Sequence, residues 1–254
     1  MIFIRDMRTD PLKSLNSIQR QAVETIKGPV LILAGAGSGK TRALTHRLAY
    51  LVLEKKISPN NILAVTFTNK AAEEMKKRVA KLLGSKVHLP WLGTFHSICV
   101  RILRQEIHRL GYKRNFTIYD EDDSLRAVKK ALENLQISPK KYNPGAIFHF
   151  ISGAKSELVT SRQYIYFAKD PFQRIVRDVY KEYEKILQKA QALDFDDLLA
   201  KTVLLFQKCP TILLKYQRLF RYILIDEYQD TNHAQYALVK LLSQKYRNIC
   251  VVGD

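Results

Sequence analysis

Two hydrophobic periods alternate along the first hundred residues, and they predict different elements. Val30–Leu33 and Ile62–Thr66, with a third run at 91–95, are short, apolar and bounded by polar or turn-forming residues, as strands are. After each run the apolar positions recur every three or four residues: Leu44, Leu48, Leu51 and Val52; then Ala72, Met75, Val79 and Leu82; then Cys99, Ile102, Leu103 and Ile107. That spacing puts each set on one face of a helix. Val30–Leu33 reads as a short buried strand, and the helix after it begins near Lys40. The alternation resumes after Leu193, with strands at Tyr222–Ile225 and 248–252. Strand–helix alternation implies an α/β fold, a parallel sheet covered by helices on both faces.

Residues 118–192 break the pattern. Strand runs vanish, turn signals stand at Asn143-Pro144-Gly145 and Asp170-Pro171, and long helical periods dominate. Over 172–189, Ile175, Val176, Val179, Tyr180, Tyr183 and Leu187 share one face, while Arg174, Arg177, Lys181, Lys185 and Lys189 share the other. The segment is a mostly helical domain inserted into the α/β domain, which divides the chain into 1–117, 118–192 and 193–254. Its basic face is either a solvated surface or part of a nucleic-acid path. The run 249–252 reads as a core strand with only Gly253 and Asp254 after it, as expected for a fragment of a longer protein.

Charge narrows the partners. Forty-two Lys and Arg against 24 Asp and Glu give a formal net charge of +18, an excess that suits a polyanion such as a nucleic-acid backbone. No apolar run is long enough to cross a membrane, and the first residues lack the parts of a signal peptide. Cys99, Cys209 and Cys250 are few, odd in number and far apart, which favours a reducing, cytoplasmic setting over disulfides or zinc. The six histidines show no ligand spacing.

The chemistry concentrates at two strand ends. Val30–Leu33 opens into Ala34-Gly35-Ala36-Gly37-Ser38-Gly39-Lys40-Thr41, a glycine-rich loop closed by a lysine and a hydroxyl. In such a loop backbone N–H groups converge on phosphate, the lysine reaches the β/γ-phosphates and the hydroxyl holds Mg2+. Ala34 stands where the motif's first glycine would be, and it fits if that position needs no positive φ. The second site is Asp226-Glu227 after the apolar Tyr222–Ile225 run, where carboxylates meet ligands in open α/β sheets. Asp226 is placed to hold the metal and Glu227 to orient and deprotonate water. The competing reading of the first is an ordinary glycine turn, which its strand and helix context disfavours, whereas the second, taken alone, reads as an acidic turn after a core strand. Together they point to Mg-ATP.

With these residues in view the chain resembles the amino-terminal half of the UvrD/PcrA/Rep family of superfamily 1 DNA helicases, over nearly its whole length. Leu15-Asn16-Ser17-Ile18-Gln19 is similar to the family's Q motif, whose glutamine recognises adenine, and 34–41 matches its phosphate loop, alanine included. Thr66-Phe67-Thr68-Asn69-Lys70 resembles the motif that grips single-stranded DNA, with the aromatic taking a base. Gly93-Thr94-Phe95-His96-Ser97 resembles a further DNA-contacting motif. Leu193 to Leu199 looks like the segment that re-enters the motor core, and 226–232 reproduces motif II.

The resemblance implies a RecA-like P-loop sheet with an inserted helical subdomain, and 3′–5′ translocation driven by ATP. It implies nucleotide contacts from Gln19, Ala36, Gly37, Ser38, Gly39, Lys40, Thr41 and Arg42, and metal ligation by Thr41 and Asp226. Lys40, Asp226 and Glu227 would be catalytic. Single-stranded DNA and its junctions with duplex would lie on Thr66, Phe67, Thr68, Asn69, Lys70, Thr94 and His96. A second motor domain, with its γ-phosphate arginines, is not in these 254 residues, so the chain alone is expected to turn over ATP weakly or not at all. Without the family, Phe67 reads as a core residue, Gln19 as a solvent-facing helix residue and His96 as a loop histidine. Two other functions stay open: a regulatory nucleotide-binding module that never meets DNA, and a nucleic-acid binder that holds nucleotide without turnover.

Overall fold

The computed structural model describes residues 10–35, 37–84 and 87–254. The strands among the described residues, numbered in chain order, are β1 Val30–Leu33, β2 Ile62–Thr66, β3 Leu92–Thr94, β4 Thr117–Ile118, β5 Ala192–Leu193, β6 Tyr222–Ile225 and β7 Ile249–Gly253. The helices are α1 Ser17–Glu24, α2 Lys40–Leu53, α3 Asn69–Leu83, α4 Phe95–Glu106, α5 Glu121–Asn134, α6 Pro144–Ser156, α7 Pro171–Ala190, α8 Phe195–Lys208, α9 Pro210–Leu219 and α10 His233–Ser243. The chain forms two compact units. One comprises the described residues up to Ile98 with Leu213–Thr231 and Val239–Asp254; the other comprises Cys99–Ile212 with Asn232–Leu238.

The first unit is built on a five-stranded parallel sheet in the order β1-β7-β6-β2-β3. β2 and β6 are buried at every position, as expected of central parallel strands that run as continuous apolar stretches. Leu44 and Leu48 of α2, Met75 and Val79 of α3, and Leu224, Cys250 and Val252 of the sheet share one core. The buried face of α3 carries Ala72, Met75, Val79 and Leu83, so Leu83 takes the place expected of Leu82, which is only partly buried. β1 departs from the fully buried strand expected of it. It lies at the sheet edge, its burial alternates, and Leu31 and Leu33 are 59% and 66% exposed.

The second unit is mostly helical. Val128 and Leu132 of α5, Ile147 and Ile151 of α6, and Val176, Val179, Tyr180, Tyr183 and Leu187 of α7 form its core. The face of α7 read from the 3.6-residue period is the buried one, with Ile175 at its margin. The two turn signals are helix starts instead. Asn143 accepts hydrogen bonds from the backbone of Gly145 and Ala146, Asp170 accepts one from Gln173, and a proline follows each at the first helical position. Proline fits there because that N–H has no intrahelical partner to lose. The short parallel pair β4–β5 lies at the ends of the helical segment.

Beside β5 sits a buried ionic cluster. Lys155 of α6 donates to Asp194 at 2.5 Å and lies 3.1 Å from Asp197, with Tyr183 donating to Asp194 at 2.8 Å. Asp194 also caps α8 through the Asp197 N–H. Burial alone would lower the lysine's pKa, but the two carboxylates outweigh it and hold the ammonium well above the ordinary lysine range. Lys155 is therefore charged throughout the neutral range. Its removal would strand two carboxylates in a dry site. Lys155→Ala should cost about 3–5 kcal/mol, read as a lowered urea midpoint at unchanged m-value.

Candidate functional site

The carboxyl ends of the parallel strands converge on one edge of the sheet, and the residues after them form the site. β1 delivers Ala34 and the glycine loop, β2 ends on Thr66, β3 on Thr94, β6 on Ile225 just before Asp226, and β7 on Gly253. Register aligns neighbours: Thr66 is level with Thr94, and Val65 with Ile225.

In the loop, Gly37 and Gly39 have φ of +78° and +89°, where a side chain would be strained. Ala34 is not among the positive-φ residues, so alanine is compatible with its place, and its N–H donates to the Gly253 carbonyl. Ala36 lies outside the described residues. Gly39 precedes α2 with no side-chain cap, which leaves the helix's first N–H groups facing the loop, the arrangement that attracts anions. The Lys40 ammonium pairs with the Asp254 carboxylate.

Thr41 Oγ1 donates to Asp226 Oδ2 at 3.0 Å, although 185 positions separate them. The other carboxylate oxygen, Oδ1, is buried without a hydrogen-bond partner. Burial pushes the Asp226 pKa up, partly offset by the Thr41 hydrogen bond and raised further by Glu227. A hydroxyl and a carboxylate with a free oxygen are hard donors of the kind Mg2+ takes, so the residues fit the ion. Glu227 adopts φ +50°, ψ +46°, a left-handed conformation that costs a non-glycine residue about 1–3 kcal/mol. Gln229 steadies it by donating to Glu227 Oε2 at 2.9 Å and accepts from the Asp254 N–H at 3.2 Å. A Cβ at Gly253 would lie 2.7 Å from Gln229 Oε1. Gln229's part in this was not singled out from sequence, although it lies in the acidic motif itself.

Two cavities flank the loop within this unit. One, of about 280 Å³, is walled by Ile18, Gln19, Ile32, Leu33, Ser38 and Lys40. Gln19 Nε2 donates to the Ser38 carbonyl at 3.1 Å, so the glutamine touches the loop directly. Arg42 is exposed and donates to the Ser14 carbonyl at 2.6 Å. The other cavity, of about 360 Å³, brings Thr41, Asp226 and Glu227 together with Thr66, Phe67 and Thr68.

Several of the remaining sequence-selected residues are held by local bonds. The Thr66 hydroxyl donates to the Thr68 carbonyl, and the Thr68 hydroxyl caps α3 by accepting from Ala71. Thr94 Oγ1 accepts from the Ser97 N–H. Phe67 is partly buried, its ring set edge-on against Phe95 at 5.5 Å between centroids. Asn69 and Lys70 are exposed on the first turn of α3. His96 is half-buried, and burial lowers its pKa.

A parallel sheet whose edge carries a glycine-rich loop on one strand and an acidic pair on another defines an α/β P-loop domain of the RecA-like class. The chain belongs to the UvrD/REP helicase family, whose N-terminal domain profile matches residues 15–254. It is 53% identical over 243 residues to the ATP-dependent DNA helicase PcrA of Bacillus subtilis, covering 96% of this chain and 33% of that protein. The PcrA helicases of Staphylococcus aureus strain Mu50 and of Staphylococcus epidermidis are each 52% identical over the same shares. The chain thus spans about a third of the length of the curated relatives it matches. Among the described residues no helix is long and apolar enough to cross a membrane.

The buried Asp226 carboxylate makes a stability prediction. Its raised pKa means that the charged form is disfavoured in the fold, a penalty fully present above that pKa and relieved as pH falls through it. In metal-free buffer at neutral pH, Asp226→Asn should therefore raise Tm. The gain should shrink on acidification, as read by scanning fluorimetry.

Proposed function

We propose that the chain is the nucleotide- and DNA-binding part of an ATP-dependent DNA helicase that moves 3′ to 5′ along single strands. The observation that carries the reading is the Thr41–Asp226 contact with its unpartnered carboxylate oxygen, at the mouth of the phosphate loop. Thr41 and Asp226 would hold Mg2+, which when bound neutralises phosphate charge. Lys40 would exchange its Asp254 partner for the β/γ-phosphates, Gln19 and Arg42 would face the base and sugar, and Gly37, Ser38, Gly39 and Ala36 would wrap the phosphates. Glu227, held by Gln229, would orient and deprotonate the attacking water at its carboxylate.

Single-stranded DNA would cross Thr66, Phe67, Thr68, Asn69, Lys70, Thr94 and His96, with the junction to duplex beyond. That Thr66–Thr68 share a cavity with Thr41, Asp226 and Glu227 supports coupling between strand and nucleotide. We assign 1–117 and 193–254 to the first motor domain and 118–192 to its insertion, in a cytoplasmic protein completed by a second motor domain. The PcrA relatives are ATP-dependent DNA helicases, and the same activity is the one proposed for the whole protein of which this chain would be part.

Calorimetry with Mg-ATP tests the phosphate site. Lys40→Ala removes a charge-assisted contact worth about 1.5–3 kcal/mol, so affinity should fall at least tenfold. Equal affinities would end the assignment. For the strand path, fluorescence anisotropy with a labelled oligonucleotide should show binding that weakens with salt, at a log–log slope of about −0.7 per phosphate contact. Phe67→Ala should weaken it about fivefold or more while leaving the slope nearly unchanged, because stacking is lost and charge is not. Affinity that is flat in salt would show that this surface is not a strand path.

A further inference from the structure

α2 does more than follow the phosphate loop. Three of its side chains reach back to main-chain carbonyls of the segment that carries Gln19. Arg42 donates to Ser14 at 2.6 Å, His46 Nδ1 meets the Pro11 carbonyl at 2.6 Å, and Arg47 donates to Ala22 at 2.5 Å. A carbonyl only accepts, so His46 Nδ1 carries a proton. Arg47 is 1% exposed, and its Nε has no hydrogen-bond partner. Burial lowers its pKa, against small raising effects of Cys250 and Tyr222. A buried guanidinium with one donor unused is a poor device for stability alone. Its bond is well placed, however, because Ala22 lies in the last turn of α1, where carbonyls lack helical partners and a cation is favoured.

Gln19 stands between these anchors. Its backbone N–H and side-chain oxygen close a capping box with Asn16, and its Nε2 reaches Ser38. The approach is close enough that a Cβ on Gly39 would lie 2.8 Å from Nε2. The loop and the glutamine's segment are thus both mounted on α2, one by covalent continuity at Lys40 and the other by three side chains. We propose that His46 and Arg47 are positioning residues for base recognition: they set where the Gln19 amide stands relative to the phosphate loop, so that preference for the base depends on them while phosphate anchoring does not. The inference rests on the nucleotide-site reading above.

The test is calorimetric titration of the 254-residue chain with Mg-ATP, Mg-ITP and Mg-tripolyphosphate. ITP replaces the adenine amino group by a carbonyl, and tripolyphosphate has no base. Arg47→Lys and His46→Leu should each lose at least fivefold in ATP affinity, with less than a twofold change for tripolyphosphate and a reduced ATP:ITP ratio. His46→Asn, which keeps an N–H near the Nδ1 position, should restore most of the ratio. In a Gln19→Ala background neither substitution should lower the ratio further. Folded variants that keep the wild-type ATP:ITP ratio, or that lose ATP and tripolyphosphate equally, would overturn the positioning role. A wild-type chain that binds none of the three would overturn the nucleotide reading itself, and the inference with it.

Discussion

The hydrogen bond from Thr41 to Asp226 joins the first helix after the phosphate loop to the end of a strand that is remote in sequence, and much of the first unit is arranged so that it can form. β7 lies between β1 and β6, so the two halves of the site are separated by one strand and meet only where the sheet ends. Parallel strands make this possible. All five release their chains on the same edge, so the loops that leave them are neighbours whatever their order in sequence. An antiparallel partner in the middle would send one of these segments to the far edge.

The site holds its polar groups in a poised state. Asp226 is buried with one oxygen unpartnered, Glu227 keeps a left-handed backbone under the hand of Gln229, and Lys40 faces a carboxylate in the place proposed for phosphate. The unpartnered Asp226 oxygen and the left-handed Glu227 backbone each cost free energy, whereas the Lys40–Asp254 pair is an attraction between opposite charges. The strain falls where the chemistry is proposed, as is common at functional sites. The ionic cluster of the second unit behaves differently. Lys155, Asp194, Asp197 and Tyr183 satisfy one another, and their role is to hold α6, α7 and α8 together at β5.

α2 emerges as the common mount. Its inner face supplies Leu44 and Leu48 to the sheet core, its first turn carries Lys40 and Thr41, and Arg42, His46 and Arg47 hold the segment bearing Gln19. A single rigid helix therefore sets the distance between the loop and the glutamine. Rigidity of this kind is what a recognition site requires, since small displacements of a hydrogen-bonding group weaken it steeply.

Local pattern was enough for much of this. Period and length marked the five strands of the main sheet and the face of α7, because burial on one side of a helix or both sides of a central strand is written directly into residue order. The glycine-rich run ending in Gly39-Lys40-Thr41 announced a phosphate loop, and the acidic pair after Tyr222–Ile225 announced its counterpart. The edge position of β1 could not be read, since Leu31 and Leu33 look like core until it is known that strand order leaves them on the margin. Asn143-Pro144 and Asp170-Pro171 have the same composition as turns, and only the hydrogen bonds of the following turn make them helix caps. His46 and Arg47 look in sequence like polar residues on an amphipathic helix. Their partners are carbonyls, which every residue possesses, so side-chain chemistry leaves no trace of them. Strand order, the meeting of Thr41 with Asp226 and the clamp on Gln19's segment are contacts between positions apart in sequence, and they exist only in the folded chain.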